Sequence, residues 1–366
     1  MVTTRKLHDT AASHSGSELV PHWKELALLL SSVVVGLLLC EILLRAILPS
    51  GSLWHYPNYI AQTTRPDPDE ARWAMLYDRD LGYAPRPGSS VVVQGHTVTY
   101  TAEALRSNGR PAPQHGSPIL VVGDSYTEGY GVDDDQTWPS LAEQYLARRF
   151  LNGGVRAYGI DQMILRAERL ADRLHPRAII LAFIEADIDR TAMSIMASVQ
   201  KPYFVPAGDG LELRNVPPPP PARSLWRDIL GHSFLLDAVM RHAGARDWWY
   251  GDKKDTGENA DLITCRLMHR FAGVVRQKAL FGAVVALPQV DLWAPGGKEI
   301  GRSRVKAVLD CARKEGLFTV DTYDAFAAAG VAQDSKAFYT IWHPNGRANS
   351  LAAKAIGDAL APVLPP

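Results

Sequence analysis

The sequence predicts an α/β domain built on a parallel sheet, with one membrane-spanning helix in front of it. Two patterns support this prediction: from Ser117 onward short apolar runs alternate with helical segments, and a long apolar run precedes them. Strands that alternate with helices along a chain are typical of a parallel sheet covered by its crossover helices. The chain has 366 residues, 46% of them hydrophobic, which is enough to bury such a core.

The long apolar run extends from Leu26 to Leu48. As a helix it is roughly 34 Å long, which is enough to cross a bilayer. Glu41 and Arg45 are its charged residues, and at a spacing of four they share one helix face and can pair. The run is too long for a signal peptide and no small-residue cleavage pattern follows it, so a retained anchor is favoured.

Charges on either side of this run predict its orientation. Basic residues precede it and acidic residues follow it, namely Arg5, Lys6 and Lys24 before, and Asp67, Asp69 and Glu70 after. The positive-inside rule therefore places the N-terminus in the cytoplasm and the main domain outside it. In a bacterial cell, this is a single-pass protein of the inner membrane with a periplasmic domain.

Composition divides the chain into four parts. These are a cytoplasmic tail (1–25), the anchor (26–48), a linker and lead-in (49–116) with a β-like stretch at Val91–Tyr100, and the main domain (117–366). Within the main domain the predicted strands are Ile119–Val122, a run from Ala157 onward, Ala178–Ile184, Ala283–Leu287 and Phe318–Asp321. The predicted helices are Trp138–Phe150, Gln162–Leu174, Arg304–Lys314 and Ala348–Leu360.

An insertion is predicted at about residues 190–260. Five consecutive prolines, Pro217–Pro221, cannot enter a helix or the interior of a sheet, so we expect an extended surface segment there. A helical segment follows at Ser224–Ala243. The aromatic cluster Trp248–Tyr250 is either part of a lid or a packed corner, and the corner is favoured because large aromatic side chains are usually buried.

Charge and cysteine content exclude several classes of function. Lys plus Arg and Asp plus Glu both number 39, so no net field attracts nucleic acid. The three cysteines are widely spaced and form no metal-binding pattern, so no metal and no cofactor are expected. Cys265 and Cys311 can pair only in an oxidising compartment and at bonding distance, and we treat them as free apolar residues.

A candidate nucleophile follows the first strand of the main domain. The sequence ILVVGDSYTEGYGV places Ser125 where a strand passes into a loop or helix start, the usual place for ligand sites in α/β sheets. Free N–H groups at a helix start can stabilise an oxyanion. Gly123 and Gly129 permit close approach, whereas Asp124 and Glu128 are interpreted as capping or solvated carboxylates.

A candidate base lies near the C-terminus. His343, in the sequence WHPN, precedes the helical segment Ala348–Leu360 and is expected in a loop that reaches the carboxyl ends of the strands. A serine hydroxyl becomes a good nucleophile when a base accepts its proton. We therefore expect His343 to meet Ser125.

Four ordered blocks resemble the SGNH/GDSL hydrolase family: GDSYTEG, NGGVRAYGIDQ, AFIEADIDR and WHPNGRAN. The resemblance covers about residues 83 to 362, and the anchor ending in CEILLR is similar to that of membrane-attached members. It implies a flavodoxin-like three-layer α/β/α fold with an ester-hydrolysing or acyl-transferring site. It also implies that Ser125 is the nucleophile and first oxyanion donor, and that His343 is the base.

Other positions depart from the family pattern. Ala157 stands where the family has a glycine whose N–H is the second oxyanion donor, and Ala186, followed by the expected Asp187, replaces the asparagine donor. Thr340 replaces the aspartate that lies three residues before the histidine. Either another group substitutes, with Glu185, Asp187, Asp334 or a backbone carbonyl as candidates, or the protein is a slow, specialised or inactive member.

The leading hypothesis is an extracytoplasmic serine esterase or O-acyltransferase acting on an ester-bearing glycan or lipid of the envelope. The rival hypothesis is a binding or scaffold protein for polysaccharide modification or export that has kept the fold. Loss of a side-chain oxyanion donor typically costs about 10²–10³ in turnover, and loss of the carboxylate behind a catalytic histidine about 10⁴. Ala186 and Thr340 therefore favour the rival.

Overall fold

The structure is a computed structural model that describes residues 23–47, 74–113, 117–197, 199–219, 225–245, 248–249, 251, 253–294 and 298–365. The helices described are α1 (Trp23–Ile47), α2 (Ser125–Glu128), α3 (Trp138–Leu146), α4 (Ile160–Leu174), α5 (Ala186–Arg190), α6 (Leu225–Leu230), α7 (Phe234–His242), α8 (Ala260–Gln277), α9 (Lys298–Lys314), α10 (Tyr323–Ala328) and α11 (Gly346–Leu360).

Strands of the first part of the described chain are β1 (Met75–Asp78), β2 (Gly82–Pro85), β3 (Ser90–Val93), β4 (His96–Thr99), β5 (Ile119–Val122), β6 (Phe150–Asn152) and β7 (Ala178–Phe183). Those that follow are β8 (Met193–Met196), β9 (Val199–Gln200), β10 (Tyr203–Ala207), β11 (Gly210–Arg214), β12 (Lys254–Asp255), β13 (Phe281–Ala286), β14 (Phe318–Asp321), β15 (Tyr339–Thr340) and β16 (His343–Pro344).

The central sheet has five parallel strands in the order β6-β5-β7-β13-β14. Counted along the chain this order is 2-1-3-4-5, which is the flavodoxin-like arrangement. The chain leaves β5 toward one edge of the sheet and leaves β7 toward the other, so a crevice opens at the carboxyl ends of these two strands. Ligand sites of open α/β sheets lie at such a switch point.

Helices cover both faces of this sheet. Leu120 and Val122 of β5 pack in one core cluster, with residues of α4, α8 and α9, and Ile119 and Val121 pack in a second cluster, with residues of α3, α10 and α11. Successive side chains of a strand point to opposite faces, and all four of these are buried because both faces are covered. The predicted three-layer α/β/α fold is therefore confirmed.

The sequence prediction is wrong around β6. The helix predicted to extend to Phe150 ends at Leu146, and Phe150 instead pairs with Ile119 in the sheet. The strand predicted from Ala157 is a turn in which Ala157 has φ of 60°. A short apolar run such as that at Phe150 fits a buried strand and a helix equally well, so its periodicity does not separate the two.

The lead-in packs against the main domain in its described part, residues 74–113. It forms two hairpins, β1–β2 and β3–β4, the second at the predicted β-like stretch. Leu81, Tyr83 and Leu105 belong to the same core cluster as α4 and α8. The Arg106 N–H donates to the Asn152 carbonyl over 2.8 Å, which attaches the lead-in to β6. The predicted tail and most of the linker lie outside the described residues.

The predicted insertion contains a small sheet, β12-β8-β9, the hairpin β10–β11, and two helices where one was expected. The break falls before Ser233, whose hydroxyl caps α7 by accepting from Leu236 N–H over 3.0 Å.

In the proline run, the Pro218 carbonyl accepts from the Tyr77 hydroxyl, while Pro220 and Pro221 lie outside the described residues. Trp248 is 69% exposed, so the packed corner is wrong for this residue.

A disulfide joins Cys265 of α8 to Cys311 of α9, with 5.4 Å between their Cα atoms. Our treatment of these two cysteines as free was therefore wrong. Helices α8 and α9 pack side by side on the same face of the sheet, which brings the two positions within bonding distance. Sequence spacing alone does not reveal this contact.

The anchor prediction corresponds to α1. This helix has 25 residues, is long and apolar enough to cross a membrane, and is not buried along its apolar part. The expected pair is present, with Arg45 Nε donating to Glu41 Oε1 over 2.7 Å.

Candidate active site

Ser125 is the first residue of α2, directly after the loop that leaves β5. Asp124 caps this helix because its Oδ1 accepts from the Tyr126 N–H over 2.9 Å. Ser125 is 7% exposed, and as the first helical residue its N–H has no acceptor within the helix. The structure therefore holds the serine hydroxyl and its own N–H together at the crevice.

Glycines on either side make this tight turn possible. A Cβ at Gly123 would lie 2.2 Å from Thr127 Oγ1 and 2.7 Å from the Ala182 carbonyl oxygen. Gly129 ends α2 with φ of 84°, where a Cβ is disfavoured. A third glycine, Gly154, was missed from the sequence, although a Cβ there would lie 2.4 Å from Glu128 N.

His343 reaches Ser125 from the hairpin β15–β16. Its Nε2 lies 3.0 Å from Ser125 Oγ, within hydrogen-bonding distance. The Tyr126 hydroxyl donates to the Trp342 carbonyl over 2.7 Å, which fixes the hairpin to α2. The Tyr130 ring also packs against the imidazole, with 4.6 Å between ring centroids. The structure thus brings together the two side chains on which the sequence hypothesis depends.

Thr340 pairs with His343 in the hairpin through the backbone. Its side chain is exposed, and within the described part of the chain its hydroxyl makes no hydrogen bond to the imidazole. The replacement of aspartate by threonine therefore leaves His343 without a partner from this position.

The carboxylates considered as substitutes are engaged elsewhere. Glu185 pairs with Arg304, Asp187 with Arg190, and Asp334 caps a short helix at Ala337. Among the residues that the structure describes, no carboxylate forms a hydrogen bond or ion pair with His343. The imidazole is oriented by packing against aromatic rings rather than by an acid.

Burial lowers the pKa of His343 to about 4. Nearby Arg190 and Arg156 add to this decrease in pKa, whereas the negative charge of Glu128 opposes it. Above that pKa the imidazole is neutral, which is the form that accepts a proton from Ser125.

A buried charge network lies beside Ser125 and includes its neighbour Asp124. Arg190 donates to Asp124 Oδ2 over 3.3 Å and to Asp187 Oδ1, and both carboxylates are fully buried. Burial raises the pKa of both Asp124 and Asp187, and Arg190 counteracts this increase. Asp187 Oδ2 also accepts from the Ile184 N–H, so it orders the loop after β7. Asp187 therefore holds Arg190 and the loop after β7, and its support of the site stays a prediction.

Ala157 presents the second candidate oxyanion donor. With φ of 60°, it has the left-handed backbone conformation that a glycine would adopt without strain. Within the described residues, no backbone or side-chain acceptor is bonded to its N–H. Its amide is therefore available to a ligand, at the expense of local strain.

Gln289 lies beside the position of the missing asparagine. Its Oε1 accepts from the Ala186 N–H over 2.7 Å, which orients the carboxamide so that its NH₂ group points away from Ala186. Gln289 was not predicted from sequence. It lies 103 positions after Ala186 and belongs to none of the four blocks.

Glu128 was interpreted from sequence as solvated or capping, which is wrong. It is 1% exposed, accepts from the Tyr100 hydroxyl, and pairs with Arg156 over 2.9 Å. The second oxygen, Oε2, is buried without a hydrogen-bond partner among the described residues. Arg156 belongs to the NGGVRAYGIDQ block, and only the tertiary contact shows that this block and the first share an ion pair.

Within the described residues, no cluster of three His, Cys, Asp or Glu side chains has an arrangement that would hold a metal ion. The chemistry that these residues can perform directly is proton transfer between Ser125 and His343, which lie within hydrogen-bonding distance.

No protein-family model matches the chain, and no curated protein matches it significantly. Similar solved structures include a member of the lipolytic protein G-D-S-L family from Veillonella parvula DSM 2008. It is 16% identical, with a TM-score of 0.41, and the match covers 66% of this chain and 97% of that one.

Two further structures are similar to this chain. An α/β hydrolase enzyme from the metagenome of Lake Arreo, Spain, is 14% identical with a TM-score of 0.42, covering 69% of this chain and 97% of that one. A catalytic mutant of an acetylxylan esterase from Geobacillus stearothermophilus is 13% identical with a TM-score of 0.38, covering 67% and 94%.

Proposed function

We propose that this protein is a membrane-anchored, extracytoplasmic serine esterase or O-acyltransferase that acts on ester groups of an envelope glycan or lipid. The observation that carries this proposal is the 3.0 Å contact between His343 Nε2 and Ser125 Oγ at the carboxyl ends of the strands. A serine hydroxyl paired with a neutral imidazole beside free N–H groups is the arrangement that acyl transfer requires.

In the first half of the reaction, Ser125 Oγ attacks the ester carbonyl carbon while His343 Nε2 accepts its proton. The N–H groups of Ser125 and Ala157 donate to the oxyanion that forms. The intermediate then collapses, the alcohol leaves with the proton from His343, and the acyl group remains on Ser125. In the second half, His343 deprotonates water in a hydrolase, or an acceptor hydroxyl in a transferase, and the resulting oxygen attacks the acyl carbon. The bond between the acyl group and Ser125 Oγ then breaks, and Ser125 takes the proton back from His343.

We propose replacements for the family's asparagine and aspartate, which this chain lacks at positions 186 and 340. The Gln289 carboxamide, next to Ala186, supplies the third oxyanion donor. The negative charge of Glu128 favours the imidazolium form of His343, although Glu128 makes no direct bond to the ring and the positive charges of Arg156 and Arg190 oppose it. A charge acting at a distance stabilises the imidazolium less than a bonded aspartate does, so we expect slow turnover.

The extracytoplasmic location is supported by two independent features. Charges flanking α1 favour a cytoplasmic N-terminus under the positive-inside rule. The Cys265–Cys311 disulfide belongs to the main domain, and disulfides persist in oxidising compartments such as the periplasm.

The enzyme proposal is tested with a fluorophosphonate probe on the full chain in detergent or nanodiscs. We expect labelling of the wild type, loss of labelling in Ser125→Ala, and strongly reduced labelling in His343→Gln. Ser350→Ala is the matched control, because this exposed serine bonds only within α11. Equal labelling of wild type and Ser125→Ala, or none in either, would contradict the proposal.

A second candidate function is a binding or scaffold role in polysaccharide modification or export. The specific observation that favours it is the absence of a carboxylate bonded to His343 among the described residues, together with Ala186. The two functions differ in one comparison. The scaffold role predicts that Ser125→Ala complements a deletion strain as fully as the wild-type protein does. The enzyme role predicts that Ser125→Ala does not complement it.

A further inference from the structure

The insertion carries an exposed apolar face next to the anchor. Four residues of α6 form it, with exposed fractions of 70% for Leu225, 71% for Trp226, 52% for Ile229 and 43% for Leu230. Val239 of α7 and Trp248 are also exposed, at 52% and 69%. The α6 positions are spaced i, i+1, i+4 and i+5, so they lie on one side of that helix. A group of exposed apolar side chains on one side of a helix is typical of an interaction site.

The anchor helix is attached to this part of the insertion by specific bonds. Glu41 accepts from the N–H groups of Phe234 and Leu235 and from the Ser233 hydroxyl, each over 2.9 Å. A carboxylate at this position caps the start of α7 and interacts favourably with the helix dipole.

Arg45 adds to the same contact. It pairs with Glu41, donates to the His232 carbonyl, and lies 4.7 Å from the centre of the Phe234 ring. Arg45 and Glu41 are therefore a clamp between the last turns of α1 and the start of α7.

This clamp determines how far the apolar face is from the bilayer. Charged residues near the end of a spanning helix are placed at the headgroups, so Glu41 and Arg45 mark the outer boundary of the hydrocarbon. The start of α7, which the clamp bonds, then lies at the same depth, and α6 ends at Leu230, two residues before the bonded His232 carbonyl. Tryptophans such as Trp226 and Trp248 are favoured at this interface because their rings are apolar and their N–H groups polar.

We propose that α6, α7 and Trp248 form an interfacial module that rests on the lipid bilayer, with the exposed face of α6 inserted at the boundary between headgroups and acyl chains. The inference rests on the membrane anchoring in the proposed function. The module binds the bilayer beside α1, so the catalytic domain is held against the membrane rather than suspended from a flexible tether. Ester groups within reach of Ser125 are then those at or near the membrane surface.

The test places an environment-sensitive fluorophore at single cysteines in the full chain, reconstituted in phosphatidylcholine nanodiscs. The background is Cys40→Ala, with the Cys265–Cys311 disulfide left oxidised. The reporter site is Ile229→Cys. Leu37→Cys is the positive control on α1, and Val363→Cys is an exposed apolar control that follows α11 on the other face of the sheet.

We expect spin-labelled lipid to quench the fluorophore at 229 at least twofold more than at 363, and to quench it at 37 most strongly. If the fluorophore at 37 is quenched but those at 229 and 363 are quenched equally, the inference about the module is overturned. Membrane insertion of α1 would still be supported by that result. An absence of quenching at 37 would overturn both. Fluorophosphonate labelling of the same samples reports on catalysis separately, so a failure of the enzyme proposal does not alter this readout.

A second copy of the chain is the other possible cover for this face. In that case the fluorophore at 229 would shift to the blue without quenching by lipid, and the shift would vanish in nanodiscs that contain one copy. That result would also overturn the inference. As a further check, Glu41→Gln weakens the clamp, so we expect less quenching at 229 and unchanged quenching at 37.

Discussion

His343 Nε2 lies 3.0 Å from Ser125 Oγ although the two residues are 218 positions apart. The contact depends on the turn between β15 and β16, which the Tyr126 hydroxyl holds by donating to the Trp342 carbonyl. The same enclosure removes water from the imidazole. The position and the protonation state of His343 are thus set by one packing arrangement.

The first prediction concerns pH. Because burial lowers the pKa of His343 to about 4, the imidazole stays neutral and able to accept a proton throughout the range from pH 8 to about pH 5. We expect the rate of fluorophosphonate labelling to stay level over this range and to fall with a midpoint near 4. A midpoint near 6.5, the ordinary value, would show that the imidazole is solvated in the free enzyme.

The second prediction concerns Ala157, whose φ of 60° is costly for a residue with a Cβ. Ala157→Gly should raise the free energy of unfolding by about 1 kcal/mol and leave the N–H donor in place. We expect a higher Tm and undiminished labelling of Ser125. Ala147→Gly, at the left-handed C-cap of α3, is the matched control and should stabilise similarly. If Ala157→Gly lowers the free energy of unfolding while Ala147→Gly raises it, then the φ of Ala157 does not strain the native backbone.

The third prediction concerns Gln289. Gln289→Glu keeps an acceptor for the Ala186 N–H but removes the NH₂ donor and adds a negative charge near the oxyanion. If the carboxamide is the third donor, kcat on a soluble ester should fall about 10²–10³-fold with little change in Tm. Gln289→Met removes donor and acceptor without a charge and should give a similar loss in kcat. Wild-type kcat in Gln289→Met would exclude this donor.

The fourth prediction concerns stability. Lys201 of the insertion and Asp161 of α4 form an ion pair with both side chains fully buried, and Lys201 also donates to the Arg190 and Met193 carbonyls over 3.1 Å each. Lys201→Met leaves the Asp161 carboxylate buried and unpaired, which should lower the free energy of unfolding by about 3–5 kcal/mol.

The matched control for this pair is the double variant Lys201→Met with Asp161→Asn. It removes both charges, so denaturant unfolding should show that part of the lost stability returns. A single variant as stable as the wild type would mean that water reaches Asp161 in solution.

Much of the fold was predictable from sequence because it depends on local patterns. Buried strands such as Ile119–Val122 are continuous apolar runs, and the helices beside them carry apolar residues at helical spacing. The prediction failed at Phe150 and Ala157, where a three-residue strand and a left-handed turn leave no periodic signal.

Site residues were predictable where they belong to compact motifs, as Ser125 and His343 do. Gln289, Arg156 and the buried state of Glu128 were not, because each depends on a side chain from a distant part of the chain. The disulfide between Cys265 and Cys311 was not predicted for the same reason. Its formation depends on two helices packing side by side, which sequence spacing does not show.

Sequence alone was sufficient to predict the parallel α/β class, the apolar span of α1, and the serine and histidine that meet. Hydrophobic periodicity and local motifs encode these features within short stretches of chain. It took the folded structure to show that, among the described residues, no carboxylate is bonded to His343, that burial lowers the pKa of His343, and that Glu41 and Arg45 join α1 to α7. Hydrogen bonds and pKa values depend on which groups lie within a few ångströms of each other, and that proximity is created by the packing of distant segments.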